Sequence, residues 1–108
     1  MSKIEMVDCK TLKEWLDKDE AVVIDVREIA EYDAAHIKDA ILIPVGTCST
    51  DTVPHTPGKK IVFHCKAGLR GSKACEICAK GLPETTVYNL QGGLDAWIAQ
   101  GYPVQKSA

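Results

Sequence analysis

The sequence predicts an α/β fold in which a central parallel sheet is flanked by helices on both faces. Short apolar, β-branched runs alternate with helical patterns from end to end, Gly and Pro punctuate the junctions, and no repeat or low-complexity segment interrupts the alternation. Crossovers in such a sheet are right-handed, and ligands gather at the carboxyl ends of its strands.

Thr11 and Glu14 have the spacing of a capping box, and Leu12, Trp15 and Leu16 share one helical face, so a helix is expected over 11–17. "AVVIDV" reads as a strand buried on both faces. A second helical pattern runs from Ile29 to Ala35, and the apolar run "AILIP" ends at Pro44. "VGTCSTDTVPHTPGKK", rich in Thr, Ser, Pro and Gly, is the longest loop. Ile61 to His64 forms the next strand, and Ser72 to Lys80 the next helix, stopped by Gly81 and Pro83. "TTVYNL" is the last strand, and Leu94, Trp97 and Ile98 give the apolar face of a last helix ending near Gly101 and Pro103.

A chain of 108 residues is one domain's worth, so residues 1–108 are expected to share one core. With 13 basic and 15 acidic side chains, bulk charge draws in no nucleic acid, and any anion site must be local. No apolar run reaches the ~20 residues of a membrane span, and "MSKIEMVDCK" lacks a signal peptide's apolar core, so a soluble cytoplasmic chain is expected. Five cysteines, odd in number and irregular in spacing, argue against a disulfide framework. Each is therefore either a buried small apolar group or a reactive thiol.

Cys65 belongs to the reactive class. In "HCKAGLRGSKA" it stands at a strand's carboxyl end, followed by small residues interleaved with the cations Lys66 and Arg70. A loop that leaves a strand and enters a helix presents several N–H groups to one point, and the helix adds the positive end of its dipole. That field suits an anion and stabilises a thiolate, the more so if the charges of Lys66 and Arg70 turn inward. Gly68 and Gly71 let the backbone curl where a β-carbon would obstruct it. A phosphate ester and a sulfane-sulfur donor both fit this description.

Other polar residues read as structural. His64 lies on the opposite face from its neighbour Cys65 and is poorly placed as its base. Asp25 and Arg27 fix the turn after their strand, and Tyr32 and His36 read the same way. Cys75 and Cys78, three apart on a helix with no second pair, belong to the core beside Leu82. Cys48, in the long loop, reads as an incidental thiol, with a role in resolving an oxidised Cys65 as the competing reading. Cys9 has no functional argument.

The same loop resembles the active-site loop of the rhodanese family of sulfurtransferases: a cysteine, two variable residues, a glycine, one variable residue and arginine. "VVIDVREIAEYDAAHIKDAILIP" resembles the family's amino-terminal signature through Asp25, Arg27, Glu28, Tyr32, His36, Ile37 and Ala40. "NLQGGLDAWIAQGYPV" resembles its carboxy-terminal signature through Leu90, Gly92, Gly93, Trp97, Gly101 and Pro103. Gly71 departs from the pattern, which often has serine or threonine there. The resemblance covers nearly the whole chain and implies a rhodanese-like fold.

It further implies that Cys65 is the catalytic nucleophile and that Lys66, Ala67, Gly68, Leu69 and Arg70 bind substrate. Sulfur would pass from thiosulfate or a persulfide donor to Cys65, and from the Cys65 persulfide to cyanide or a thiol acceptor, with no metal or cofactor required. Related phosphatases have one more residue between cysteine and arginine than the four here, Lys66 to Leu69, so the shorter loop favours sulfur over a tetrahedral phosphate. A small phosphatase or arsenate-handling enzyme, and a non-catalytic interaction module, are the alternatives. Loop length speaks against the first and an intact Cys65 against the second.

Overall fold

The computed structural model describes residues 3–49, 52–54, 58–81 and 85–106. In chain order the elements are β1 (Lys3–Val7), α1 (Cys9–Asp17), β2 (Ala21–Asp25), α2 (Ile29–Ala34), β3 (Ile41–Leu42), β4 (Lys60–His64), α3 (Leu69–Gly81), β5 (Thr86–Leu90) and α4 (Gly93–Ala99), with a 3-10 turn over Val45–Thr47. Five strands make one sheet in the order β1-β5-β4-β2-β3, and every pairing is parallel. The α/β class and the parallel sheet follow the alternation in the sequence.

β4 is the central strand. Ile61, Val62, Phe63 and His64 are all buried, as expected of a strand covered on both faces. Side chains alternate between two cores: Ile61 and Phe63 join Ile24, Val87 and the α3 residues Ala74, Cys75 and Cys78. Val62 and Leu90 instead meet Leu12 of α1 and Leu94 and Trp97 of α4. The register sets Asp25 beside His64, and Asn89 beside Phe63, so the ends of β2 and β5 flank the point where β4 gives way to Cys65.

The structure departs from the sequence reading in several places. β1 was not expected: of its side chains Ile4 and Met6 are exposed and Val7 is buried, so it carries little burial pattern and owes its place to pairing with β5. α1 starts at Cys9, because the Asp8 side chain accepts the Thr11 N–H at 2.8 Å and makes Asp8 the cap. Thr11 therefore lies inside the first turn, and the Thr11–Glu14 capping box does not form. A capping box does form one helix later, between Glu28 and Glu31 at the start of α2.

The run "AILIP" pairs over only Ile41–Leu42. α3 begins at Leu69 instead of Ser72, since the Ser72 N–H already bonds the Gly68 carbonyl at 3.0 Å. Ile98 is 48% exposed, because the short α4 turns only Leu94 and Trp97 inward. The stop expected at Pro83, and the contact expected of Leu82, lie outside the described residues. Among the described residues no helix is long and apolar enough to cross a membrane.

The reassigned start of α1 predicts that Asp8→Ala lowers the urea midpoint of unfolding more than Thr11→Ala does. The opposite ranking would return the helix start to Thr11.

Candidate active site

Cys65 follows the last residue of β4 and is 2% exposed. The Gly68 N–H reaches back to its Sγ at 2.9 Å. This return needs a backbone φ of +121° at residue 68, a conformation that glycine adopts at little cost. The next residue, Leu69, opens α3, so the thiol sits against the amino end of a thirteen-residue helix.

The carbonyls of Cys65, Lys66 and Gly68 are each bonded to another part of the chain. The Leu94 N–H donates to the Cys65 carbonyl at 2.8 Å, and the Asp95 N–H to the Lys66 carbonyl at 3.0 Å. The Gly68 carbonyl accepts from Ser72 N–H and from Asn89 Nδ2 at 3.1 Å. In a planar trans peptide the N–H points opposite to the C=O. Fixing these carbonyls therefore turns the N–H groups of Lys66, Ala67 and Leu69 the other way. Among the described residues no acceptor meets the N–H groups of Lys66, Ala67, Leu69 or Arg70.

The approach of α4 explains the Gly92–Gly93 pair. Both have positive φ, and a β-carbon on Gly93 would run into the carbonyls of Cys65 and Lys66. Gly71 is constrained in the same way, since a β-carbon there would strike the Asn89 side-chain oxygen.

The two loop cations each face an acid. The Arg70 guanidinium makes a two-pronged pair with Glu31 of α2, Nη1 to Oε1 at 2.6 Å and Nη2 to Oε2 at 3.0 Å. Lys66 points outward, its Nζ 3.9 Å from Asp95 Oδ2, with both side chains exposed. A pair of that kind is worth little in water. The inward cationic field expected from Lys66 and Arg70 is thus largely offset, which leaves the Gly68 N–H as the donor that reaches the sulfur. Leu69 is 86% exposed and contributes its N–H, with its side chain outside.

Asp25 and Arg27 act as expected for structural residues. Asp25 Oδ1 accepts the Arg27 backbone N–H at 3.0 Å, and Arg27 Nη2 bridges Asp25 Oδ2 at 2.7 Å and the Ala35 carbonyl at 2.6 Å. The buried pair clamps α2, and with it Glu31, onto the end of β2. His64 Nδ1 lies 3.2 Å from the Cys65 carbonyl, and its Nε2 lies 3.4 Å from Asp25 Oδ2. Burial holds its imidazole below the ordinary histidine range. Tyr32 stacks on His36 at 3.9 Å and donates to the Ala40 carbonyl.

The remaining cysteines are buried. Cys48 Sγ lies 3.8 Å from Cys78 Sγ, and Cys75 donates to the Tyr88 carbonyl at 3.4 Å. Burial pushes the Cys75 and Cys78 thiols up to about 12 and raises those of Cys48 and Cys9. Cys48 is thus a buried residue whose thiol faces Cys78, in the same core cluster as Cys65, and not an exposed loop thiol.

Glu31, Asn89 and the start of α4 escaped the sequence reading as parts of this site. The signals were present: an asparagine within the strand run "TVYNL", a Gly-Gly pair at a helix start, and an acid in the first turn of α2.

The rhodanese-like domain family profile matches residues 8–100. The chain belongs to the rhodanese-like domain family. A protein of Synechocystis sp. designated "Uncharacterized protein slr1261" is 32% identical over 98 residues, covering 91% of this chain and 54% of its own length. The chain thus spans about half of that relative. A protein named "Sulfurtransferase" from Allochromatium vinosum is 27% identical, with 94% of each chain covered. Among solved structures, a thiosulfate sulfurtransferase from Pseudomonas aeruginosa superposes with a TM-score of 0.82 at 25% identity, over 95% of this chain and 19% of that one.

Pairing with Arg70 holds the Glu31 carboxyl down at about 2, from 4.5 for a free side chain. Its contribution to stability is present above the ordinary carboxylate range and is lost as pH falls through about 2. A carboxyl-resolved NMR titration should find this low midpoint, and Arg70→Met should return it toward 4.5. A native midpoint near 4.5 would mean that the pair does not form in solution.

Proposed function

We propose that this rhodanese-like chain, with residues 1–108 acting as one domain, is a sulfurtransferase that carries sulfane sulfur as a Cys65 persulfide. The observation that carries the reading is the Cys65 sulfur held by the Gly68 N–H inside a loop whose Cys65, Lys66 and Gly68 carbonyls are bonded elsewhere. Such a loop favours negative charge on the sulfur and on whatever atom extends from it.

In the first step the Cys65 thiolate attacks the outer sulfur of thiosulfate. An S–S bond forms at Cys65, the S–S bond of thiosulfate breaks, and sulfite leaves with the electron pair. The new terminal sulfur bears the negative charge, where the N–H groups of Lys66, Ala67, Leu69 and Arg70 stabilise it. In the second step cyanide or a thiolate attacks that terminal sulfur, and the Cys65 thiolate departs as the leaving group. A small persulfide can replace thiosulfate as donor, releasing its thiolate in place of sulfite.

Substrate contact in this scheme falls to the loop from Lys66 to Arg70, and only Cys65 forms a covalent bond. The loop of six residues from Cys65 to Arg70 favours a single sulfur atom over a tetrahedral oxyanion. A reducing, cytoplasmic setting belongs to the proposal, in keeping with five cysteines that are all free thiols.

Thiosulfate treatment should add one sulfur atom to Cys65, read by mass spectrometry of its peptide, and Cys65→Ser should abolish transfer to cyanide while leaving the circular dichroism unchanged. Sulfur found on Cys75 or Cys78, or turnover retained in the serine variant, would overturn the proposal.

The Glu31–Arg70 pair predicts opposite signs for its two halves. Glu31→Gln removes a negative charge near the mouth and should raise kcat/KM for the thiosulfate dianion by about two- to fivefold at low salt. Arg70→Gln leaves Glu31 unbalanced and should lower kcat/KM by about tenfold or more. Changes of the same sign in both variants would show that the pair acts only as a brace.

A further inference from the structure

We propose that Asn89 is a positioning residue for Cys65, fixing the Gly68–Leu69 peptide from the sheet side so that Gly68 keeps its N–H on the sulfur and the Leu69 N–H is held beside it. Asn89 is 3% exposed, near the end of β5, next to Phe63 of β4 in the register. Burying a carboxamide among apolar strands is costly unless its hydrogen bonds serve a purpose. Here Nδ2 donates to the Gly68 carbonyl at 3.1 Å, while Oδ1 is buried with no hydrogen-bond partner among the described residues. The acceptor of this buried amide is left unused while a donor of the same group reaches the loop.

Gly68 stands at the pivot of the loop. Its N–H donates to Cys65 Sγ, and its carbonyl belongs to the peptide that carries the Leu69 N–H. Ser72 already satisfies that carbonyl from within α3. The Asn89 bond is therefore not needed for satisfaction alone. It adds a second, lateral restraint from β5, so that the peptide cannot rotate about the helix end. Glycine adopts a φ of +121° at little cost but is just as free to leave it, so a restraint from β5 narrows the loop's choice.

Gly71 supplies an independent observation. A β-carbon at 71 would overlap Asn89 Oδ1 and lie 3.2 Å from its Cγ, so glycine at 71 and asparagine at 89 are fitted to each other. This accounts for the departure at Gly71 from the serine or threonine of the family pattern: the amide from β5 occupies the space that a side chain at 71 would fill.

The catalytic consequence rests on the persulfide reading of Cys65, whereas the positioning itself does not, and the experiment separates them. Asn89→Leu keeps the volume and removes the donor. It should lower kcat for thiosulfate by about five- to tenfold, the worth of one hydrogen bond, with KM unchanged within about twofold. Alkylation of Cys65 by iodoacetamide, which needs no sulfur transfer, should show its pH profile displaced to higher pH. Gly71→Ala should reproduce both effects by pushing the amide aside, yet cost nothing more when added to Asn89→Ala.

Native kcat and a native alkylation profile in Asn89→Leu would overturn the proposal, as would a rise in KM alone. Equal losses from Gly71→Ala with and without Asn89 would also overturn it, and this cycle decides the matter if the leucine variant fails to fold. If the native protein transfers no sulfur, the sulfurtransferase reading fails, and the alkylation profiles alone decide the role of Asn89.

Discussion

The site depends on one constraint: three carbonyls of the cysteine loop, those of Cys65, Lys66 and Gly68, are bonded to other parts of the chain. A strand that stops in the middle of a parallel sheet leaves a backbone with as many acceptors as donors, and an anion there meets both. Bonds from Leu94, Asp95, Asn89 and Ser72 remove the carbonyls of Cys65, Lys66 and Gly68 from that balance. The N–H groups on the opposite edges of the same peptides, those of Lys66, Ala67 and Leu69, are then turned away from those bonds, and the Gly68 N–H donates to the sulfur. Much else in the structure serves this arrangement: the Gly92–Gly93 start that lets α4 approach, Gly71 against Asn89, and the positive φ of Gly68.

Charge plays a smaller part than the sequence suggests. Lys66 and Arg70 look like a cationic pair aimed at a substrate, yet each is matched by an acid from another element. Fixed dipoles in a partly enclosed site do not relax as mobile side chains do, and they act at short range. The Glu31–Arg70 pair also joins α2 to the first turn of α3, and the buried Asp25–Arg27 pair anchors α2 in turn. The electrostatic partner of Arg70 is thereby held by the same end of the sheet that holds Cys65.

What the sequence makes legible is what short-range patterning controls. Strand and helix alternate with clear punctuation, so the sheet class and the place of Cys65 at a strand's end follow directly. Helix starts are less legible because caps compete locally: Asp8 outbids Thr11, and α3 begins as soon as Gly68 permits. β1 is hidden because only Val7 of its described side chains is buried. Glu31, Asn89 and the start of α4 are hidden for another reason. Glu31 reaches the loop from α2, and Asn89 and the start of α4 reach it from the consecutive elements β5 and α4, two stretches far apart in the chain that only the strand order brings together. Cys48 misleads for the converse reason, since a loop rich in Thr, Ser and Pro folds this residue into the core against Cys78.

The measurement that tests the account most directly is a crystal structure of the protein after thiosulfate treatment. An added sulfur bonded to Cys65 Sγ is expected, with its free end within hydrogen-bond distance of loop N–H groups from Lys66 to Arg70. An added sulfur that instead turns toward the Lys66 or Arg70 side chains without backbone contact would contradict it, as would a carbonyl of Cys65, Lys66 or Gly68 turned inward to face that sulfur.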